Sequence, residues 1–413
     1  MRLWLTISLL LLSLWLGAQQ RIPYKRPTYD FIAYDSSQLV LPGGSVYFDN
    51  FYRKLSRLIF EGDGKVKIMH IGASHIQAGM WSWAVRSGFE SLAPSVQGAP
   101  GFLFPFSIAN SNHPYYYKSW VTGNWDYQRI TDKEVKYPLG LGGITAIGSD
   151  TVAEVHFVFN PAAAISYRKF NMVTVFHNAD DDSYRILLLP ESNVLRQYTD
   201  VNAGKTVFIL KQASDSLNIR FEKIDDSNSE YYFYGALTSN NLPAVEYYTI
   251  GINGANTASY LKAGLFSQQL CSFDPDLVIL SIGVNDASGN AFAEERYTNN
   301  YAALIQTIRE QYPAAAILLT TNTDFYNYRA GHNPYAASVK TSMMTNAEKY
   351  GAAVWDAHTA MGGDRSINQW RSNGLAQKDR IHLTQEGYSI LGSMLFEAIL
   401  RDYEKFLVKQ SEN

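Results

Sequence analysis

Residues 65–83 read KVKIMHIGASHIQAGMWSW. From Val66 the run is almost continuously apolar, and it stops at Gly72. Short unbroken apolar runs that end in a glycine turn are the pattern of strands buried on both faces of a parallel sheet. Here the turn Gly72-Ala73-Ser74-His75 leads directly into a helical pattern, so the hydroxyl of Ser74 is thrown beyond the sheet edge. Ligands of open parallel sheets bind at that edge, past the C-terminal ends of the strands. Ser74 is therefore either a nucleophile or a plain turn residue, and this one stretch does not separate the two.

Further along, DLVILSIG (276–283), AAAILLTTN (314–322) and AAVWDAH (352–358) repeat the buried-strand pattern. Helical periodicity lies between them. Tyr301, Leu304, Ile305 and Ile308 share one face of 297–312, and a long helix over 384–407 opens at Thr384, a residue suited to an N-cap. Alternating strands and helices predict a three-layer α/β/α domain around a parallel sheet. Between the first strand and the rest, the period changes to two. TVAEVHFVF, NMVTVFHNA, YRILLL, KTVFIL and LNIRFEKI are separated by turns such as NADDDS and ASDS, the pattern of an all-β sandwich. The expected organisation is a signal peptide at 1–18, an N-terminal segment with a first helix at 19–59, and the α/β domain in two parts, 60–109 and 246–413. The β-sandwich, 110–245, is inserted between those parts.

Arg2, the apolar run Leu3–Leu16 and the small pair Gly17-Ala18 form the three regions of a secretory leader, too short in its apolar part to span a bilayer. A periplasmic or secreted protein is expected, with no membrane span after cleavage. The net charge of -3 with no Lys/Arg block excludes nucleic acid as a partner class. The single cysteine, Cys271, leaves no internal disulfide and stands too far from the cleavage site to be a lipoprotein anchor. It is expected to be a small buried residue. Of the 28 tyrosines, eight cluster in HPYYYKSW, EYYFYG and VEYYTI; half-buried strands account for most tyrosines, and tyrosine also stacks on sugar rings.

Besides Ser74, three sequence-distant loops fall at strand or helix ends: GINGANTASY (251–260), GVND (283–286) and DRIHLTQEGY (379–388). Acyl transfer from a serine needs a base, and His382 can serve, with Asp379 three residues earlier to fix its tautomer. It also needs donors for the oxyanion, which the N–H groups of Ser74 and Gly254 and the amide of Asn285 can supply. Each block taken alone fits an ordinary turn or helix cap. His75 has no neighbours at metal-ligand spacing. Asp356 and His358 in WDAH form a rival pair, ranked below Asp379 and His382.

In this order, Gly-x-Ser, a glycine loop, Gly-x-Asn-Asp and Asp-x-x-His before the last helix, the blocks resemble the SGNH/GDSL hydrolase superfamily. More narrowly, GASHIQAG, QGAPGFLFPF (97–106), the β insertion and GINGA resemble bacterial peptidoglycan and polysaccharide O-acetylesterases. The resemblance implies a serine esterase with Ser74, Asp379 and His382 as catalytic triad and Ser74, Gly254 and Asn285 as oxyanion hole. It would remove acetyl groups from an acetylated polysaccharide or peptidoglycan without a metal or organic cofactor. The insertion would be carbohydrate-binding-like, with Trp120, Trp125 or Tyr232 stacking on sugar. One position departs: Ala73 stands where the family has Asp, a residue that supports the nucleophile turn. That departure keeps open a catalytically weak or inactive glycan-binding protein on the same scaffold. An O-acetyltransferase would use the same five residues.

Overall fold

The computed structural model describes residues 28–92, 98–160, 169–225, 227–228, 230–289, 291–327 and 331–412. The leader read at 1–18 lies outside them. Six strands form the first sheet, in the spatial order Leu39–Val40, Ala353–Trp355, Ala316–Thr320, Leu277–Ser281, Lys65–Gly72, Ala244–Gly251. All are parallel except Leu39–Val40, which pairs antiparallel at the edge. The four strands read from apolar runs are present, the last three shorter than their runs. Ala244–Gly251 is a further parallel strand that the apolar-run pattern left unassigned. Its VEYYTI tyrosines are not half-buried: Tyr247 and Tyr248 are enclosed, and their hydroxyls bond His70 Nδ1 at 2.8 Å and the Glu246 carboxylate at 2.5 Å. A strand carrying polar tips inside a core does not look like a plain apolar run.

The helices lie in two groups. Val46–Ser56 packs on the strands Lys65–Gly72 and Ala316–Thr320, and Gln385–Ser411 packs on Met80–Ser91. Glu294–Gln311 packs with Ala336–Tyr350 and buries Tyr297, Tyr301, Leu304, Ile305 and Ile308, one more turn of the face expected from periodicity. Thr384 does cap the final helix, its hydroxyl accepting the N–H of Gly387 at 3.2 Å.

The period-2 stretches build two antiparallel sheets. One runs Val194–Asp200, Lys205–Ser214, Phe170–His177, Tyr231–Ser239, Ile144–Gly148, Trp125–Arg129; the other runs Tyr117–Thr122, Val152–Phe159, Leu217–Lys223, Tyr184–Leu189. They pack face to face through Phe221, whose ring lies 4.9 Å from that of Tyr231 and 5.5 Å from that of Phe233. The architecture is thus a mixed α/β fold with an additional β-sandwich. The core is continuous between the two: Phe273 stacks on Phe176 of the sandwich at 5.7 Å and meets Tyr248 of the parallel sheet at 5.2 Å. Residues 31–413 form one compact unit. No helix among the described residues is long and apolar enough to cross a membrane. Cys271 corrects an expectation: it is exposed, on the turn that ends the helix Phe266–Leu270, with its thiol 3.0 Å from Gln311 Oε1.

Candidate active site

The turn that carries Ser74 is fixed by packing. A Cβ at Gly72 would lie 2.2 Å from Ile76 Cγ1 and 2.8 Å from the Ser281 carbonyl, so only glycine lets the chain turn this tightly against the next strand. The Ala73 carbonyl then accepts the N–H groups of Ile76 (3.0 Å) and Gln77 (2.9 Å), winding a single helical turn that starts at Ser74. Ser74 Oγ emerges half-buried, 2.9 Å from His382 Nε2.

Asp379 organises the loop that brings His382 there. Its Oδ1 accepts the N–H groups of Ile381 (2.9 Å) and His382 (3.0 Å), and its Oδ2 lies 2.7 Å from His382 Nδ1. Arg380 between them adopts φ +57, a left-handed conformation unusual for a side chain of its size. Its guanidinium sits 3.9 Å over the Tyr326 ring, and its carbonyl accepts the Tyr326 N–H at 3.0 Å. Burial pushes the Asp379 carboxyl up, but the bonds from the His382 ring and the two backbone N–H groups outweigh it and hold the group below its usual range. An ionised carboxylate only accepts, so Nδ1 carries the ring proton and Nε2 presents its lone pair to the Ser74 hydroxyl.

The three loops meet because their strands end level. Gly72 pairs with Gly251 on one side and with Ser281 on the other. Ser74, Gly254 and Asn285 therefore leave the C-terminal ends of three adjacent strands. Ser74, just past Lys65–Gly72, sits where the strand order reverses, the place at which open parallel sheets bind ligands. Among the described residues the N–H groups of Ser74 and Gly254 meet no acceptor. Asn285 Nδ2 donates one hydrogen to the Ala255 carbonyl at 2.8 Å, which fixes the amide plane and leaves its second N–H for a ligand. Asp286 accepts the N–H (3.1 Å) and hydroxyl (2.6 Å) of Thr257, tying the GVND loop to the glycine loop. Burial raises its carboxyl above the ordinary range, against the opposing pull of the Thr257 bonds.

Several features were not visible in sequence. His75 is buried against the His382 imidazole, ring centroids 5.3 Å apart, with Nδ1 2.8 Å from the Tyr388 hydroxyl. Burial, with the neighbouring His382 adding, lowers it to about 3, so it is neutral. Nothing in a single sequence links 75 to 382 and 388. No group of three or more metal-ligating side chains occurs among the described residues. The rival pair is not formed. The strand ends at Trp355; Asp356 caps the next helix by accepting the N–H of Thr359 at 3.1 Å, while His358 Nε2 faces Asp364 at 3.2 Å. Of the three aromatic residues considered for sugar stacking, Trp125 packs edge-on to Phe221 and Tyr231, and Tyr232 sits half-buried edge-on to Tyr137. Trp120 is 48% exposed, stacked on His156 at 5.0 Å and 12° on the solvent face of the four-stranded sheet. A concavity of about 730 Å³ between His177–Asp181, Glu230–Tyr234 and Leu265–Gln269 contains none of the five residues above. Their cluster is open instead, the side chains of Asp379 and His382 each 33% exposed.

Residues 215–390 match the GDSL-like Lipase/Acylhydrolase family. The matched span holds Gly254, Asn285, Asp379 and His382 and leaves out Ser74, which the fold restores to them. No curated protein matches the chain by sequence. A solved peptidoglycan O-acetylesterase superposes with TM-score 0.70 at 18% identity, over 89% of this chain and 99% of that one. That coverage leaves too few residues over to omit the β-sandwich, so the composite fold is shared. An acetyl xylan esterase (TM-score 0.31, 20% identity, 37% of this chain and 81% of that one) and a family two carbohydrate esterase from Cellvibrio japonicus (0.30, 11%, 70% and 99%) are more distant.

Proposed function

We propose that this GDSL-like acylhydrolase, a carboxylic ester hydrolase, is an exported serine esterase that removes acetyl groups from a polysaccharide, with O-acetylated peptidoglycan the favoured substrate. The observation that carries the proposal is the hydrogen-bonded series Ser74 Oγ–His382 Nε2 at 2.9 Å and His382 Nδ1–Asp379 Oδ2 at 2.7 Å, beside two backbone N–H groups that meet no acceptor among the described residues. Ser74 attacks the ester carbonyl as His382 takes its proton, while Asp379 stabilises the imidazolium. The oxyanion lies among the N–H groups of Ser74 and Gly254 and the amide of Asn285. Collapse expels the sugar oxygen, which receives the proton from His382 Nε2. Water, deprotonated by the same nitrogen, then releases acetate from Ser74.

The openness of the cluster supports a short acyl group on a large acceptor: a long acyl chain would want a deep apolar cavity, and a polymer wants a shallow, accessible edge. Architecture shared over most of the chain with a peptidoglycan O-acetylesterase supports the substrate. The exposure of Trp120 on the sandwich supports it as the residue that holds a sugar ring. Acetate release from O-acetylated peptidoglycan and from acetylated xylan tests the substrate. Ser74→Ala is expected to lower aryl acetate turnover by about 1,000-fold or more, and only wild type should take a fluorophosphonate label. A wild-type chain that releases no acetate and takes no label is the inactive glycan-binding alternative. Acetyl transfer to added oligosaccharide in place of acetate release is the transferase.

A further inference from the structure

Gly254 has little to hold it. It has no side chain, adopts φ +79, and a Cβ there would touch only Thr131 at 3.8 Å. Its orientation is inherited from its neighbours. On one side Ala255 is held by Asn285. On the other, the N–H of Asn253 donates to Gln77 Oε1 at 2.7 Å. Gln77 is buried, and it sits three residues after Ser74 on the same helical turn. Its amide is fully used: Nε2 donates to Ser111 Oγ at 2.7 Å and to the Asn112 carbonyl at 2.9 Å. Asn253 closes the ring, its Nδ2 donating to Asn112 Oδ1 at 2.7 Å and to Ser111 Oγ at 3.1 Å. One neutral side chain thus spans the nucleophile's helix, the glycine loop and the loop Ser111–Asn112 that leads into the sandwich.

We propose that Gln77 is the positioning residue of the oxyanion loop, setting the direction of the Gly254 N–H relative to Ser74 and bracing it against Ser111–Asn112. This rests on Gly254 being an oxyanion donor. The donor has value only if it is aimed before the reaction, because a misaimed N–H binds the ground state as well and stabilises the transition state less. Gln77→Met keeps the side-chain length and removes all of these bonds. In the full chain it is expected to lower kcat for an aryl acetate by about 10- to 100-fold with KM within about threefold, since ~1 Å of misplacement costs about 100-fold. The rate of fluorophosphonate labelling, whose tetrahedral adduct uses the same donors, should fall by the same factor. A merely structural residue would lower the melting temperature without that matched pair of losses. Asn253→Ala keeps the backbone N–H, removes only the outer ties, and is expected to lose about 3- to 10-fold in kcat. Gln77→Met folded and within twofold of wild type in kcat and labelling overturns the assignment. If Gln77→Met does not fold, an unchanged kcat in Asn253→Ala overturns it. Ser74→Ala run alongside separates the two levels: full turnover there removes the serine mechanism, whereas an inactive Ser74→Ala beside an unaffected Gln77→Met removes Gln77 alone.

Discussion

Asp379→Asn changes one atom of the relay and almost no volume. Oδ1 would still accept the N–H groups of Ile381 and His382, now at 2.9 and 3.0 Å, so the loop keeps its shape and the amide nitrogen must take the place of Oδ2. That nitrogen stands 2.7 Å from His382 Nδ1 and can only donate. Nδ1 must then accept, the ring proton moves to Nε2, and an N–H instead of a lone pair faces Ser74 Oγ. The base is present but in the wrong tautomer. In serine hydrolases of this geometry the same exchange costs about 10⁴-fold in kcat, or ~5.5 kcal/mol of barrier. Because the His382 side chain is 33% exposed, a ring flip can recover part of this, and the expected loss here is about 10³- to 10⁴-fold. The assay is steady-state hydrolysis of an aryl acetate at pH 7, with thermal unfolding to show that the fold is kept. A variant that unfolds like wild type and turns over within tenfold of it would refute the tautomer argument and Asp379 with it.

Asn285→Ala removes one oxyanion donor and frees the Ala255 carbonyl; kcat should drop about 100- to 1,000-fold with a smaller change in KM, measured on the same ester. Trp120→Ala should weaken retention on an acetylated polysaccharide by about 5- to 10-fold while leaving aryl acetate turnover unchanged, because its ring lies on the four-stranded sheet, not on the parallel sheet that carries Ser74, and its loss removes stacking alone. Stability should fall in mild acid. His70 and His75 are both buried and both lowered to about 3, burial being the main cause, whereas unfolded imidazoles titrate near 6.5. Between those values only the unfolded chain takes up the two protons, so stability falls as pH falls, with a slope that reaches half its maximum near pH 6.5, approaches ~3 kcal/mol per pH unit for the pair below that, and vanishes well above pH 6.5. Urea midpoints that stay constant from pH 7.5 to 5 would contradict this.

The parallel sheet was legible because its strands are buried on both faces and their apolar runs need no partner to be recognised. Lys65–Gly72 was bounded to the residue for that reason. Ala244–Gly251 was missed because its tyrosine and glutamate tips satisfy one another inside the core through His70, Tyr247, Tyr248 and Glu246. Cys271 was misplaced because a small apolar residue next to a strand gives no sign of which way its turn faces. At the site, residue types and order pointed to Ser74, Gly254, Asn285, Asp379 and His382, since acyl transfer needs those groups. The bracing residues His75, Gln77, Tyr388 and Asp286 were not found. Their parts depend on contacts between loops as many as 313 residues apart in the chain.

Those braces bear on Ala73, the one departure from the family pattern. A carboxylate at that position would be useful if the nucleophile turn needed a side chain to hold it. Here the turn is held by backbone: the Ala73 carbonyl takes two N–H groups, and the Gly72 carbonyl accepts the hydroxyl of Tyr260 at 2.6 Å. The loops on either side are joined without it, by Asp286 to Thr257, by Asn285 to Ala255 and by Gln77 to Asn253. Ala73 itself is buried, so an Asp there would bring a charge into a position shielded from water. A missing carboxylate with its structural duties met by neighbours leaves the chemical groups free to act. That is why the relay geometry, and not the residue before the serine, should be taken as the measure of whether this chain turns over an ester.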